Sequence, residues 1–171
     1  MQSRAVKWLA KLPAPLLLAA ALCFTQPALG LEQGGKAPGF DLPARSVRLD
    51  DYAGKVVYLD FWASWCGPCK QSFPWLNELQ IKHGAKGLQI IGINLDTKLE
   101  DGLRFLATTP AVFTVAFDPA GKSAKQYGIK GMPSSVLIDR EGKVAYMHAG
   151  FNGVSQVEME KAILAVLGEG R

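Results

Sequence analysis

Two kinds of apolar pattern alternate along this chain of 171 residues, and each predicts its own secondary structure. Short apolar runs with few polar positions are typical of strands that are covered on both faces. We predict such strands, the last two forming an antiparallel hairpin, at residues 55–61, 88–95, 112–117, 134–139 and 143–148. Longer segments predict helices at residues 68–83, 99–108, 121–127 and 154–167. Strands flanked by helices on both sides predict an α/β fold, a three-layer sandwich around a mixed central sheet.

Glycine and proline positions refine this prediction. Residues 33–38 contain two glycines and a proline and predict a flexible lead-in, and residues 40–49 predict a short edge hairpin. Pro74 lies inside the first long helix, where its missing N–H and its ring predict a kink. Gly84 is predicted to end that helix.

Residues 1–30 have the pattern of a secretory signal peptide, with an apolar centre at 16–24 and a small-residue cleavage motif at 28–30. The start is basic, through Arg4, Lys7 and Lys11. The apolar stretch has roughly a dozen residues, whereas a membrane-spanning helix needs about 20. We therefore predict a cleaved leader at 1–30, one domain at 31–171, and export to the periplasm. Membrane anchoring by residues 12–24 is the alternative.

Charge and length limit the partners of the predicted domain. The leader holds three of the 19 basic residues and none of the 15 acidic ones, which leaves 16 basic and 15 acidic side chains in residues 31–171. A nearly neutral domain without a basic stripe excludes nucleic acid as a partner. A domain of this length can bury its own hydrophobic core, and we expect a monomer.

The motif Cys66-Gly67-Pro68-Cys69 lies between the first buried strand and the first long helix. Cysteines three positions apart at a helix N-terminus can form and break a disulfide without rebuilding the backbone. Such a short loop constrains the unfolded chain very little, which argues against a purely structural bridge. The helix start favours a thiolate at Cys66. We predict that Cys66 is the attacking sulfur and Cys69 the resolving thiol.

Two other chemistries use cysteines in related patterns, and neither fits. Zinc normally takes four ligands, and the chain's two histidines, His83 and His148, lack the paired spacing of a zinc finger. A thiol peroxidase would carry P-x-x-x-T-x-x-C. Pro110 and Thr114 begin that pattern, but Phe117 stands where the cysteine belongs. We therefore expect neither a metal nor a cofactor.

Three parts of the chain resemble thioredoxin: residues 60–70 (DFWASWCGPCK), Pro74, and residues 127–133 (YGIKGMP). The leader, the hairpin at 40–49 and the helix at 99–108 are more similar to the exported TlpA/ResA-like branch of the thioredoxin superfamily. The resemblance covers nearly all of residues 36–168. It implies a thioredoxin-like fold and the activity of a thiol-disulfide reductase.

The resemblance also implies roles for residues around the two cysteines. Met132-Pro133 would be a cis peptide bond facing the disulfide, and the Met132 backbone would pair with an extended substrate. Asp60 would be a buried acid of raised pKa that accepts the proton of Cys69. The other residues predicted to contact substrate lie within the motif or next to it: Trp65, Gly67 and Pro68.

The chain departs from the exported branch at two positions. Those reductases often carry a glutamate three residues after the second cysteine, where this chain has Ser72, and often a neutral residue where it has Asp60. The lysine that partners this acid in thioredoxin is absent, with Gly92 near the matching place. The alternative for Asp60 is an acid at a strand end that caps a loop.

The residues between the cysteines bear on the direction of electron flow. Gly67-Pro68 matches thioredoxin, at about −270 mV, and not the oxidant DsbA, at about −120 mV. The resemblance then implies a membrane thiol donor of the DsbD or CcdA type. Clients would be exported proteins with cysteines, such as apocytochrome c or a copper-site assembly protein. A periplasmic disulfide oxidase or isomerase is the alternative, as is a Sco-like copper chaperone, although that class uses C-x-x-x-C.

Overall fold

The computed structural model describes residues 31–168, and the predicted signal peptide at residues 1–30 lies outside them. The described residues form seven strands: β1 (Asp41–Leu42), β2 (Val47–Arg48), β3 (Val56–Trp62), β4 (Leu88–Asn94), β5 (Thr114–Phe117), β6 (Ser134–Ile138) and β7 (Val144–Ala149). They also form four α-helices: α1 (Gly67–His83), α2 (Leu99–Thr108), α3 (Lys122–Gln126) and α4 (Gly153–Leu167).

The five longer strands form one mixed sheet in the order β5-β4-β3-β6-β7. β4 pairs in parallel with both β3 and β5, while β6 pairs antiparallel with both β3 and β7. The central strand is β3, and all seven of its residues are buried. The predicted α/β fold with a mixed central sheet is therefore confirmed.

Each face of the sheet has its own hydrophobic core, because alternate residues of a strand point to opposite faces. Tyr58 and Trp62 of β3 pack in a core with residues of α1 and α4. Leu59 and Phe61 pack in a second core with residues of α3 and the β1–β2 hairpin. The sheet thus lies between two layers, and Asp60 belongs to the face that α1 and α4 cover.

An aromatic cluster holds α1 against the sheet. The ring of Phe73 lies 5.0 Å from Trp62, 5.0 Å from Phe105 and 5.2 Å from Phe113, measured between centroids. Each such pair contributes about 0.5–1.5 kcal/mol beyond the burial of its area. Because Phe73 follows Cys69 by one helical turn, the cluster also anchors the helix that carries the cysteines.

The predicted flexible lead-in at residues 33–38 is wrong. The N–H of Gly34 donates to the carbonyl of Val144 at 2.8 Å, and the N–H of Val144 donates to the carbonyl of Gly35 at 2.9 Å. This segment is therefore held against the start of β7, where Lys36 and Lys143 form an isolated antiparallel bridge. The predicted hairpin at 40–49 exists, but β1 and β2 form a separate two-stranded sheet, and Leu42 and Val47 pack into the second core.

α1 ends at His83 with Gly84 as its cap, as predicted, whereas β5 begins later than predicted. α1 continues through Pro74, and Gly84 caps it with right-handed backbone at φ −58°. One further 3₁₀ turn follows, and Gly87, at φ 102°, is the left-handed residue that leads into β4. β5 begins after Val112, because the N–H of Val112 donates to the Asn77 side chain of α1 at 2.8 Å.

Candidate active site

The chain passes from β3 into α1 through residues 63–66, and the two cysteines lie at the end of this loop. Cys66 is the N-cap of α1, and its Sγ accepts a hydrogen bond from the N–H of Cys69 at 3.2 Å. The two sulfurs form a disulfide, with their Cα atoms 5.3 Å apart. Pro68 lies in the first helical turn, where an N–H would have no partner within the helix. The helix dipole and the free N–H groups stabilise a thiolate at Cys66 in the reduced protein.

The two cysteines differ in their access to solvent. Cys66 is 5% exposed, whereas Cys69 is completely buried. Gly67 and Pro68 are exposed between them, and the Trp65 side chain is 71% exposed beside them. Cys66 therefore keeps a small exposed surface while Cys69 has none, which is the asymmetry that the predicted roles require.

A buried carboxylate holds the loop that precedes Cys66. Asp96, just after β4, accepts hydrogen bonds from the backbone N–H of Ser64 at 2.9 Å and from its hydroxyl at 3.0 Å. The side-chain amide of Asn94 donates to the same carboxylate at 2.8 Å. Hydrogen bonds to an ionised group are about twice as strong as neutral ones. Sequence reasoning missed Asp96, since the contact joins residues 32 positions apart.

An open groove of about 390 Å³ lies beside Cys66, between the active-site loop and α2. Trp65 and Lys70 line it on the side of the cysteines, and Asp101 and Arg104 line it on the side of α2. Asp101 and Arg104 form an ion pair. No residue of α2 was among the predicted substrate contacts. The amphipathic pattern of α2 predicts which face of the helix is buried, but it does not show which other part of the protein lies beside the polar face.

The Met132-Pro133 peptide bond is cis, as the resemblance implied. Pro133 is buried, and Met132 is partly buried against the core that contains both cysteines. The antiparallel register pairs Phe61, near the end of β3, with Ser134, at the start of β6. The Met132-Pro133 loop and the cysteine loop therefore lie at the same end of the sheet.

Asp60 is 1% exposed in the middle of β3. Burial raises the pKa of its carboxyl from 3.8 to about 8, and a hydrogen bond from Ser135 opposes part of this shift. The Ser135 hydroxyl donates to Asp60 Oδ1 at 3.4 Å and accepts from the Tyr58 hydroxyl at 2.7 Å. Burial also raises the pKa of Tyr58 above its ordinary value, so this phenol stays neutral. A carboxyl with a pKa near 8 can accept and release a proton around neutral pH.

Ser72 and Gly92 stand where related proteins carry a glutamate and a lysine, and the structure explains both residues. Ser72 is buried and its hydroxyl donates to the carbonyl of Cys69 at 3.0 Å, so it braces the helix and is no base. Gly92 pairs directly with Asp60 in the parallel register of β3 and β4. A Cβ at Gly92 would lie 2.9 Å from the ring of Phe113 and 3.1 Å from the indole nitrogen of Trp62. These rings fill the space that a lysine at this position would need.

Gly92→Ala is accordingly expected to destabilise the protein by about 1–3 kcal/mol, the usual cost of overpacking a core. Urea denaturation measures the change. Gly153→Ala is the matched control, since a Cβ at this helix N-terminus meets no atom within 4 Å. Equal stabilities of the two variants would show that the rings of Trp62 and Phe113 can move aside to accommodate a Cβ, so that packing does not require a glycine at position 92.

Within residues 31–168, no cluster of three or more histidine, cysteine or acidic side chains could hold a metal ion. In the same range, none of the helices has the length and apolar character needed to cross a membrane.

A sheet of this topology whose central strand leads into a dithiol at a helix N-terminus defines the thioredoxin-like thiol-disulfide oxidoreductases. The Redoxin family model matches residues 32–164, and the chain belongs to this family. It is 37% identical over 131 residues to thiol-disulfide oxidoreductase ResA of Bacillus thuringiensis subsp. konkukian, covering 75% of this chain and 76% of that protein. It is 34% identical over 144 residues to ResA of Geobacillus thermodenitrificans, covering 79% and 83%.

Solved structures show the same likeness. A Chlorobium tepidum protein assigned as thiol:disulfide interchange protein DsbE is 56% identical, with a TM-score of 0.79, over 81% of this chain and 99% of that one. A Bacteroides thetaiotaomicron protein assigned as a protein disulfide isomerase is 32% identical, with a TM-score of 0.73, over 82% and 92%. The chain is therefore a thiol-disulfide oxidoreductase with Cys66 and Cys69 as its CxxC pair.

Proposed function

We propose that this oxidoreductase is an exported reductase of protein disulfides. The observation that carries the proposal is the asymmetric pair at the start of α1, where Cys66 keeps a small exposed surface and Cys69 has none. Gly67-Pro68 between them is the pair found in thioredoxin, at the reducing end of the known range of potentials. Similarity to ResA and DsbE supports thiol-disulfide exchange as the chemistry of this pair.

Reduction of a client begins at Cys66. Its thiolate attacks one sulfur of the client disulfide, so that a Cys66–client bond forms and the other client sulfur leaves as a thiolate. Cys69 then loses its proton to Asp60, and its sulfur attacks that of Cys66. The Cys66–Cys69 bond forms, the second client sulfur is released, and two electrons have passed from the dithiol to the client.

Export and partners complete the proposal. The signal-peptide pattern at residues 1–30 supports a periplasmic location. A reductant outside the cytoplasm needs a source of electrons, which we assign to a membrane thiol donor of the DsbD or CcdA type. Its clients would be exported proteins with paired cysteines, and both cytochrome c maturation and copper-site assembly present such thiols.

The reduction potential tests the direction of electron flow. We expect a value nearer about −270 mV than about −120 mV, on the scale set by thioredoxin and DsbA. Equilibration with thiol buffers of graded potential, followed through the fluorescence of Trp65, measures it. A value above about −150 mV on this scale would make the protein an oxidant and refute the reductase assignment.

A further inference from the structure

A row of polar side chains crosses the sheet from Asp60 to β7. The register pairs Asp60 of β3 with Ser135 of β6, and Ser135 with His148 of β7. Residues directly opposite each other project to the same face, with Cβ atoms about 4.5–5.5 Å apart. The three side chains therefore lie next to one another, on the face that α1 and α4 cover.

Each end of this row has one side-chain atom without a hydrogen-bond partner. Within the part of the chain that the structure describes, Asp60 Oδ2 and His148 Nε2 are buried and have no hydrogen-bond partner. Both side chains line one small cavity, about 10 Å³ in volume, which is room for about one water. One water between these two atoms would satisfy both of them.

The cavity holds few titratable groups. Those that line it are Tyr58, Asp60 and His148, while α1 and α4 contribute only uncharged side chains: Trp75, Ser155 and Met159. Tyr58 stays neutral because burial raises the pKa of its hydroxyl. On the other side of Asp60, towards β4, Trp62 and Phe113 fill the space around Gly92. His148 is partly exposed, so the row connects the buried acid to the surface.

We propose that His148 relays protons between Asp60 and solvent, across one water in the cavity that they share. The inference rests on the proposed function and deepens it. Near neutral pH the carboxyl of Asp60 holds a proton, which must leave before Asp60 can accept another. That proton passes from Asp60 Oδ2 through the water to His148 Nε2, and the imidazole releases a proton to solvent. Cys69 then gives its proton to the ionised Asp60, its sulfur forms the bond to Cys66, and the client thiolate leaves. His148 acts through Asp60 and does not touch the reacting sulfurs.

The relay can be tested with the reduced protein and a nitrobenzoate disulfide, whose coloured thiolate leaves without taking a proton. Stopped-flow absorbance resolves a first release, by Cys66, and a second, by Cys69. His148→Ala is expected to leave the first release unchanged and to slow the second by at least about tenfold near neutral pH. His148→Gln, which keeps the volume of the side chain, is expected to give the same slow phase.

Chemical rescue separates a relay from a structural role. Added imidazole is expected to restore most of the lost rate in His148→Ala, whereas pyrazole, a ring of the same size but a much weaker base, is not. Met147→Ala is the control, since this neighbour is exposed and faces the opposite side of the sheet. In the Asp60→Asn background, His148→Ala is expected to cause no further loss, because both residues serve one route.

Three outcomes would overturn the relay: a second release in the His148 variants as fast as in the wild type, no rescue by imidazole, or equal rescue by pyrazole. The proposed function fails separately. If the reduced wild type itself shows no first release, Cys66 is not the attacking sulfur, whatever the His148 variants do.

Discussion

Cys69→Ser is expected to trap client proteins as stable mixed disulfides on Cys66. The nucleophile remains at the helix start, but the buried thiol that would cleave the mixed disulfide is gone. Turnover of a model disulfide such as insulin should fall by several orders of magnitude, as it does when an enzyme loses an essential reacting group. Affinity capture from the exported fraction, followed by release with reductant, would identify the trapped clients.

Cys66→Ser is the matched control for this experiment. It removes the more accessible of the two thiols and keeps only the completely buried Cys69. We expect it to lose turnover equally and to capture no clients. If Cys66→Ser captured clients and Cys69→Ser did not, the roles of the two cysteines would be reversed.

Asp60→Asn is expected to slow resolution by Cys69 by at least about tenfold near neutral pH. Positioned general bases contribute typically about 10²–10⁴-fold, and the loss should lie at the low end because water can partly substitute. Alkylation of Cys66 should stay as fast as in the wild type, because its thiolate depends on the helix start. Stopped-flow measurements across the neutral range should show a flatter pH profile. If the profiles matched, the proton would leave by another path and Asp60 would be a structural acid.

The same substitution is expected to change how stability depends on pH. Burial raises the pKa of Asp60 from 3.8 to about 8, so between these values the folded protein holds a proton that the unfolded chain has released. The stability of the wild type is therefore greatest below the unfolded pKa and falls as the pH rises towards the folded pKa. The free energy of unfolding falls by about 1.4 kcal/mol per pH unit within this window, so three pH units lower it by up to about 4 kcal/mol.

Asp60→Asn should remove this loss, since an amide does not ionise, and should be the more stable protein near neutral pH. Urea denaturation of the oxidised proteins at a series of pH values measures the effect. Asp50→Asn is the control, because it makes the same substitution in a side chain that is 83% exposed. Parallel stability curves for the wild type and Asp60→Asn would mean that the buried carboxyl titrates with an ordinary pKa.

The elements that the sequence predicted well are those in which local chemistry decides the structure. Apolar runs identified the buried strands, because a strand covered on both faces has few polar positions. The CxxC spacing placed two thiols on one helical turn, which depends only on the geometry of the helix. The predictions failed where a distant partner decides, as at residues 33–38, where hydrogen bonds to β7 order a segment rich in glycine.

The sequence by itself therefore determined the redox pair and the α/β class, because both follow from residues close together in the chain, while the role of Asp60 came from the resemblance to thioredoxin. Only the tertiary structure decided which side chains lie beside Asp60. Ser135 and His148 lie beside Asp60 through strand pairing across 75 and then 13 positions, and sheet register has no local signal in the sequence. The groove beside Cys66 and the contact of Asp96 with Ser64 likewise exist only because separate elements pack together.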